Sequence, residues 1–286
     1  MNPAKMTWAF RLKKGRWMNE KTILKEPRKT IAVNLDETLS HTYEALLNWH
    51  NDFYHTQYRL EDLTTTDLWK VWGGSREDTC HKIRLFYQSE YFQTIQPIQD
   101  FALEALKMLK KRKFQLVIIT SRQQFIAEET KRFVDKHYPG IFESIYFCNL
   151  GLSENEQLEY ISKTKSTICQ EIGVDVLIDH QLEHCMDCAD LGMDVLLYDR
   201  KGQYQWNHHQ QQYYDNIKRV TTWRDIIRHH FPKPNSPLRH LIYSMDQQQQ
   251  QQDDDDDDDD DDYDQHEVIV LEQNDEDEED EWSMIV

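Results

Sequence analysis

The chain has 286 residues, 52 acidic and 33 basic, for a formal net charge of −19. Residues 246–286 hold 21 of those acids and no Lys or Arg, the first 29 residues hold nine bases and two acids, and residues 30–245 are nearly balanced at −5. No stretch reaches the roughly 20 apolar residues of a membrane span, no signal-peptide pattern opens the chain, and five cysteines do not make a disulfide scaffold. The middle segment also lacks the basic balance of a nucleic-acid binder. An intracellular protein, cytoplasmic or nuclear, with no membrane or nucleic-acid partner is expected.

Residues 1–29 form a basic N-terminal extension, expected to be disordered. Its shortage of acids is shared with mitochondrial presequences, which keeps a mitochondrial address open. Residues 30–35 (TIAVNL) are the first short apolar, β-rich run, the pattern of a buried strand. Residues from about 42 to 96 break the pattern: they are rich in aromatics, including Trp49, Trp69 and Trp72, and show helical periodicity without strand runs. A small helical insertion is expected there. Ala102, Ala105, Leu106 and Leu109 recur at helical spacing. Residues 114–119 (FQLVII), 144–148, 174–178 (VDVLI) and 193–198 (MDVLLY) read as further buried strands. Helices are expected over 123–137, over 161–172 before Gly173, and between the last two strands. Strands alternating with helices imply an α/β fold with a mostly parallel sheet. From residue 232 the chain runs through Pro, Gln and ten consecutive Asp into a Glu/Asp-rich end, too polar to bury a core.

In such a sheet the site lies at the carboxyl ends of the strands. Those ends supply Asn34, Asp36, Glu37 and Thr38 after the first strand, Thr120, Ser121 and Arg122 after the second, and Asp179 and His180 after the fourth. Lys163 and Lys165 open the helix before that fourth strand.

This set resembles the haloacid dehalogenase (HAD) superfamily of phosphohydrolases over residues 30–231. Asn34-Leu35-Asp36-Glu37-Thr38 stands where the family has Asp-x-Asp-x-Thr, Thr120 ends the second motif, Lys165 (or Lys163) matches the third, and Asp179 the fourth. The insertion resembles the cap of the 5′(3′)-deoxyribonucleotidases. The resemblance implies a Rossmannoid three-layer sandwich. It also implies Asn34 at the position of the nucleophile, Asp36 as acid/base, and Thr120, Ser121 and Lys165 as phosphate contacts. Mg²⁺ would be held by Asn34, the Asp36 backbone carbonyl and Asp179. In the family, the first Asp attacks phosphorus and the second moves the proton. An amide is a poor nucleophile without negative charge, and His180 replaces an acid often found beside Asp179, so the metal site is weakened. Three functions follow. One is a pocket that binds phosphate or a phosphorylated, nucleotide-like small molecule with Mg²⁺ and scarcely turns it over. The second is an active Mg-dependent phosphomonoesterase or nucleotidase. The third is a non-enzymatic interaction scaffold.

Cys185 and Cys188 read as buried core residues rather than metal ligands. Trp69 and Trp72 suit either a substrate-facing wall or the packing of the cap. In the acidic tail, Val268, Ile269, Val270 and Leu271 form an apolar island followed by acids, which resembles a SUMO-interacting motif and implies a SUMO-like or basic protein partner.

Overall fold

The computed structural model describes residues 8–13, 16–21, 28–208 and 214–232. The tail, with Val268, Ile269, Val270 and Leu271, lies outside them. In the leader, β1 (Trp8–Lys13) and β2 (Arg16–Lys21) pair antiparallel, with Trp8 opposite Lys21 and Lys13 opposite Arg16. This corrects the expectation of disorder over those residues. Trp8, Phe10 and Leu12 alternate with Ala9, Arg11 and Lys13, a period of two that marks a strand and that counting charges overlooks.

The main sheet has six strands: β3 (Thr30–Val33), β4 (Gln115–Thr120), β5 (Ser144–Phe147), β6 (Val176–Asp179), β7 (Asp194–Tyr198) and β8 (Ile217–Val220). Their order is β5-β4-β3-β6-β7-β8, and every neighbouring pair is parallel. The strand at β8 escapes the sequence reading. It sits at the sheet edge, where Lys218 and Arg219 remain exposed, so it carries no continuous apolar run.

Four helices, α1 (Thr42–Tyr54), α2 (Leu68–Trp72), α3 (Arg76–Tyr87) and α4 (Glu90–Gln93), make the expected insertion between β3 and α5 (Ala102–Lys111). Then follow α6 (Ala127–His137), α7 (Lys165–Ile172), α8 (Leu182–Ala189) and α9 (Trp223–Asp225). Helix α7 starts four residues later than its periodicity suggests, because the Thr164 hydroxyl accepts from the Thr167 N–H and caps it there. That late start puts Lys165 in the first turn.

Successive residues of a strand face opposite sides of the sheet, so each strand feeds two apolar layers. Ile31, Val33, Ile118 and Ile178 pack with Leu106 of α5 and Trp223 of α9. Ala32, Val117, Ile119 and Leu177 pack with Ile168 of α7 and with Cys185 and Cys188, both fully buried as expected. The insertion has its own core around Leu46, Trp49, Leu63 and Phe86. Trp72 stacks on His50 there, with ring centroids 4.5 Å apart. Where the chain leaves the sheet and returns, His41 N–H bonds Gln96 O and Ile98 N–H bonds Leu39 O, both at 2.9 Å. The cap is thus stitched at its base beside the end of β3.

Candidate functional site

Strands β3 and β6 are neighbours, and the ladder continues one residue past β3: Asn34 N–H donates to Ile178 O at 2.9 Å. Asn34 and Asp179 are therefore brought side by side at the carboxyl edge. Lys165 reaches them from the first turn of α7, its ammonium 3.0 Å from Asn34 Oδ1 and 2.5 Å from Asp179 Oδ2. All three are buried. Lys163, the other candidate for the third motif, pairs instead with Glu171 at 2.8 Å on the surface. Geometry selects Lys165.

The amide orientation at Asn34 is set by its partners. With Oδ1 toward an ammonium, Nδ2 faces the Asp36 carbonyl at 2.7 Å and His180 Nδ1 at 2.9 Å. His180 Nδ1 also faces Asp179 Oδ1 at 3.4 Å, so the tautomer, Nδ1–H or Nε2–H, decides whether Nδ1 donates there or accepts from Nδ2. His180 Nε2 is buried without a partner. The rings of Tyr43, Tyr204 and Trp206 enclose the imidazole edge-on, with centroids about 6 Å away.

Asp36 lies within reach of Thr120, whose hydroxyl is 3.5 Å from Oδ2, but its firm partners come from elsewhere. Arg122 donates from Nη2 at 2.7 Å and from Nε at 3.0 Å, and the Thr42 hydroxyl donates at 2.6 Å, all to Oδ1. Burial pushes the Asp36 carboxyl up, but Arg122 and Thr42 outweigh it, and the group ends below its ordinary range. Burial likewise raises Asp179, and Lys165 and His180 then pull it lower overall. Glu37 behaves oppositely. It sits at φ 55°, a left-handed conformation unusual for a side chain of this size. Its buried carboxyl accepts from the Tyr43 N–H at 2.7 Å and the Tyr204 hydroxyl at 3.2 Å. Burial dominates, and its pKa rises to about 7.

Of the residues singled out in the sequence, Asn34, Asp36, Thr120, Lys165 and Asp179 share this pocket. Ser121 follows Thr120 on the same loop and is only partly buried. Sequence reasoning gave no role to Arg122, although a guanidinium directly after a buried strand needs an acid partner and was a usable signal. Thr42, Tyr43, Tyr204 and Trp206 arrive from the cap and from a distant loop, with no local signal at all. A separate groove of about 470 Å³, lined by residues including His41, Glu44, Tyr91, Gln96 and Arg200, runs beside the stitched base of the cap. It contains none of the expected phosphate contacts.

The donors present do not suit Mg²⁺. That ion favours carboxylate oxygens and sheds water reluctantly. Here Asn34 Oδ1 and Asp179 Oδ2 both hold Lys165, and the Asp36 carbonyl accepts from Asn34's own amide. Two carboxylates, Asp36 and Asp179, already face two cations, Arg122 and Lys165. Among the described residues no cluster of three His, Cys, Asp or Glu side chains is placed to hold a metal.

Comparison with known proteins agrees with this architecture. The model of the family described as "5′ nucleotidase, deoxy (Pyrimidine), cytosolic type C protein" matches residues 28–158, which contain the first two strand ends and the cap. A Bacillus cereus protein described as "Putative nucleotidase" is 23% identical over 200 residues, covering 68% of this chain and 93% of its own. A Clostridium difficile structure described as "Putative Phosphatase" superposes with a TM-score of 0.51 at 15% identity, over 73% of this chain and 100% of that one. The chain shares the α/β fold of that phosphatase structure, and residues 28–158 match the nucleotidase family model. A HAD-superfamily hydrolase from Geobacter sulfurreducens aligns over 72% of this chain and 97% of its own, at 13% identity and a TM-score of 0.44. Among the described residues no helix is long and apolar enough to cross a membrane.

Proposed function

We propose that this HAD-like pocket binds phosphate or a nucleotide-like phosphomonoester and, as encoded, hardly turns it over. The observation that carries the reading is the state of the two side chains at the reacting centre. An amide stands at the nucleophile position beneath Lys165, and Asp36 is held as a carboxylate beneath Arg122. Covalent phosphoryl transfer needs a carboxylate at the first position and a protonated acid at the second for the leaving oxygen. Neither is provided. Loss of a covalent nucleophile has cost on the order of 10⁶ in turnover where it has been measured.

Binding is better served. Lys165 uses two of its three N–H donors on Asn34 and Asp179, which leaves one for a phosphate oxygen. The Thr120 hydroxyl, 3.5 Å from Asp36 Oδ2, edges the same site, where a buried ammonium is a stronger anion anchor than it is in water. The nucleotide-like class is supported by the matched family's description and by the Bacillus cereus relative's name. Because the donor set disfavours Mg²⁺, binding is expected in metal-free buffer.

Calorimetric titration with phosphate and nucleoside monophosphates tests this, alongside assays of phosphate release. Binding without Mg²⁺, weakened about tenfold or more in Lys165→Met, is the expected result, with Mg²⁺-dependent turnover emerging in Asn34→Asp. Robust turnover by the unaltered chain, unchanged in Asn34→Asp and lost in Asp36→Asn, overturns the reading in favour of a working phosphomonoesterase.

A further inference from the structure

The groove beside the base of the cap has walls of two origins. Glu44 and Asn48 of α1 and Tyr91 of α4 belong to the cap, while Asp100, Arg200 and Lys201 belong to the sheet domain. The two segments that join these parts run along it, stitched by His41 N–H on Gln96 O and Ile98 N–H on Leu39 O. A molecule seated there touches cap and sheet domain at once. At about 470 Å³ the groove falls inside the range of small-molecule sites.

Arg200 and Lys201 follow the carboxyl end of β7, the edge at which sheets of this kind receive ligands. Lys201 sits at φ 55°, a left-handed conformation sparse among lysines, with its N–H on Thr221 O at 3.1 Å. Among the described residues neither cation makes a salt bridge. The neighbouring acids are committed elsewhere. Asp199 pairs with Arg219, and Asp100 accepts from the Tyr198 hydroxyl at 2.9 Å and the Trp223 N–H at 3.0 Å. Glu44 faces His41 at 3.6 Å. Arg200 Nε is buried without a hydrogen-bond partner. A guanidinium keeps its hydrogens at every physiological pH and offers no lone pair, so only an added acceptor satisfies that nitrogen.

We propose that this groove is a second anion site, for a phosphorylated small molecule of nucleotide size, separate from the pocket formed by Asn34, Lys165 and Asp179. Two adjacent cations match the double charge of a phosphate monoester: Arg200 supplies a planar fork of donors and Lys201 a point charge. The Tyr91 ring and the Asn48 amide line the remaining space, where the uncharged body lies. The bound molecule clamps the cap to the sheet domain at its base and leaves the strand-end pocket free. That is the position of an effector.

Binding at the strand ends depends on Lys165 and binding in the groove on Arg200 and Lys201, so the two readings fail separately. The experiment titrates adenosine monophosphate into the full chain carrying Lys165→Met, by calorimetry. Binding should persist there, and adding Arg200→Met with Lys201→Met should weaken it about tenfold or more. Asn48→Trp is an independent check on folding and place. It changes an exposed residue, fills the groove from α1 and keeps both cations, and it should weaken binding to a similar degree. Adenosine, which lacks the phosphate, should bind at least tenfold more weakly than the monophosphate. Bound ligand should slow hydrogen exchange of the His41 and Ile98 amides, which the clamp holds closed. No binding in Lys165→Met overturns the proposal. So does binding indifferent to both groove variants, equal affinity for adenosine, or unchanged exchange at both amides. Binding that survives Lys165→Met in full and disappears in the groove variants upholds this site and overturns the strand-end one.

Discussion

An amide differs from a carboxylate by one charge and one nucleophilic oxygen, and burial magnifies both at residue 34. The same burial governs Glu37. Its folded pKa of about 7 lies above its ordinary 4.5. The folded state therefore keeps a proton that the unfolded chain releases. The stability this confers is complete below pH 4.5, declines as pH rises to 7, and falls no further above it. The decline is on the order of 3 kcal/mol. Asp36 and Asp179, shifted down, contribute with the opposite sign: their share is full above the ordinary carboxylate pKa and is lost as pH falls below it. Urea midpoints measured from pH 4 to 8 should show the Glu37 decline in the native chain and not in Glu37→Gln, which keeps the shape of the protonated acid. A decline of equal size in the variant assigns it to another group. Arg122 carries a second expectation. Arg122→Met leaves Asp36 a largely buried carboxylate without its cation, at a cost of about 3 kcal/mol. Adding Asp36→Asn should recover part of that loss in a double-mutant cycle, and strict additivity argues against the pair acting as a unit.

Elements differ in how much of their sequence is committed to the core. Strand β6 lies inside the sheet between β3 and β7, and its Leu177 is fully buried. Leu177→Ala should cost about 3 kcal/mol, since the fixed neighbours cannot collapse onto the void. The edge strand β8 pairs only with β7 and exposes Lys218. Lys218→Ala should stay within about 0.5 kcal/mol by the same denaturation assay. Similar losses for both would place β8 deeper in the fold than its exposure allows. The cap depends on the core through Arg84, which pairs with Glu156 at 2.7 Å, and through the Tyr87 hydroxyl, which donates to Gln123 at 2.9 Å. Apolar contacts join these polar ones, since Ile126, Phe133 and Trp206 from outside the cap pack into its cluster.

For the whole molecule, a ligand that binds only the folded state stabilises it by mass action. Phosphate at about 100 times its dissociation constant should add about 2.7 kcal/mol to unfolding. Mg²⁺ alone should shift the melting temperature little, because the two site carboxylates are already matched by Lys165 and Arg122. In Asn34→Asp, Mg²⁺ should become stabilising. Thermal melts of both proteins with each ligand read this directly, and a marked Mg²⁺ shift in the unaltered chain contradicts the donor argument.

Runs such as TIAVNL and FQLVII determined the parallel sheet without help from structure, because strands buried on both faces must be apolar throughout. Their polar ends, Asn34, Asp36, Thr120 and Asp179, stood out by the same logic: a polar residue closing a buried strand has few places to go except a site. The hairpin in the leader was written in the sequence too, in the alternation of Trp8, Phe10 and Leu12, but beneath a stronger charge signal. Edge strand β8 was not, since one solvated side relaxes the pattern. Nor were the partners that decide the chemistry. Lys165 rather than Lys163, Arg122 on Asp36, and Tyr204 on Glu37 are contacts between residues far apart in the chain. Residue type and spacing announce that a buried charge needs a partner. Only the packed structure decides which partner it finds, and at Asn34 that choice sets what the amide can do.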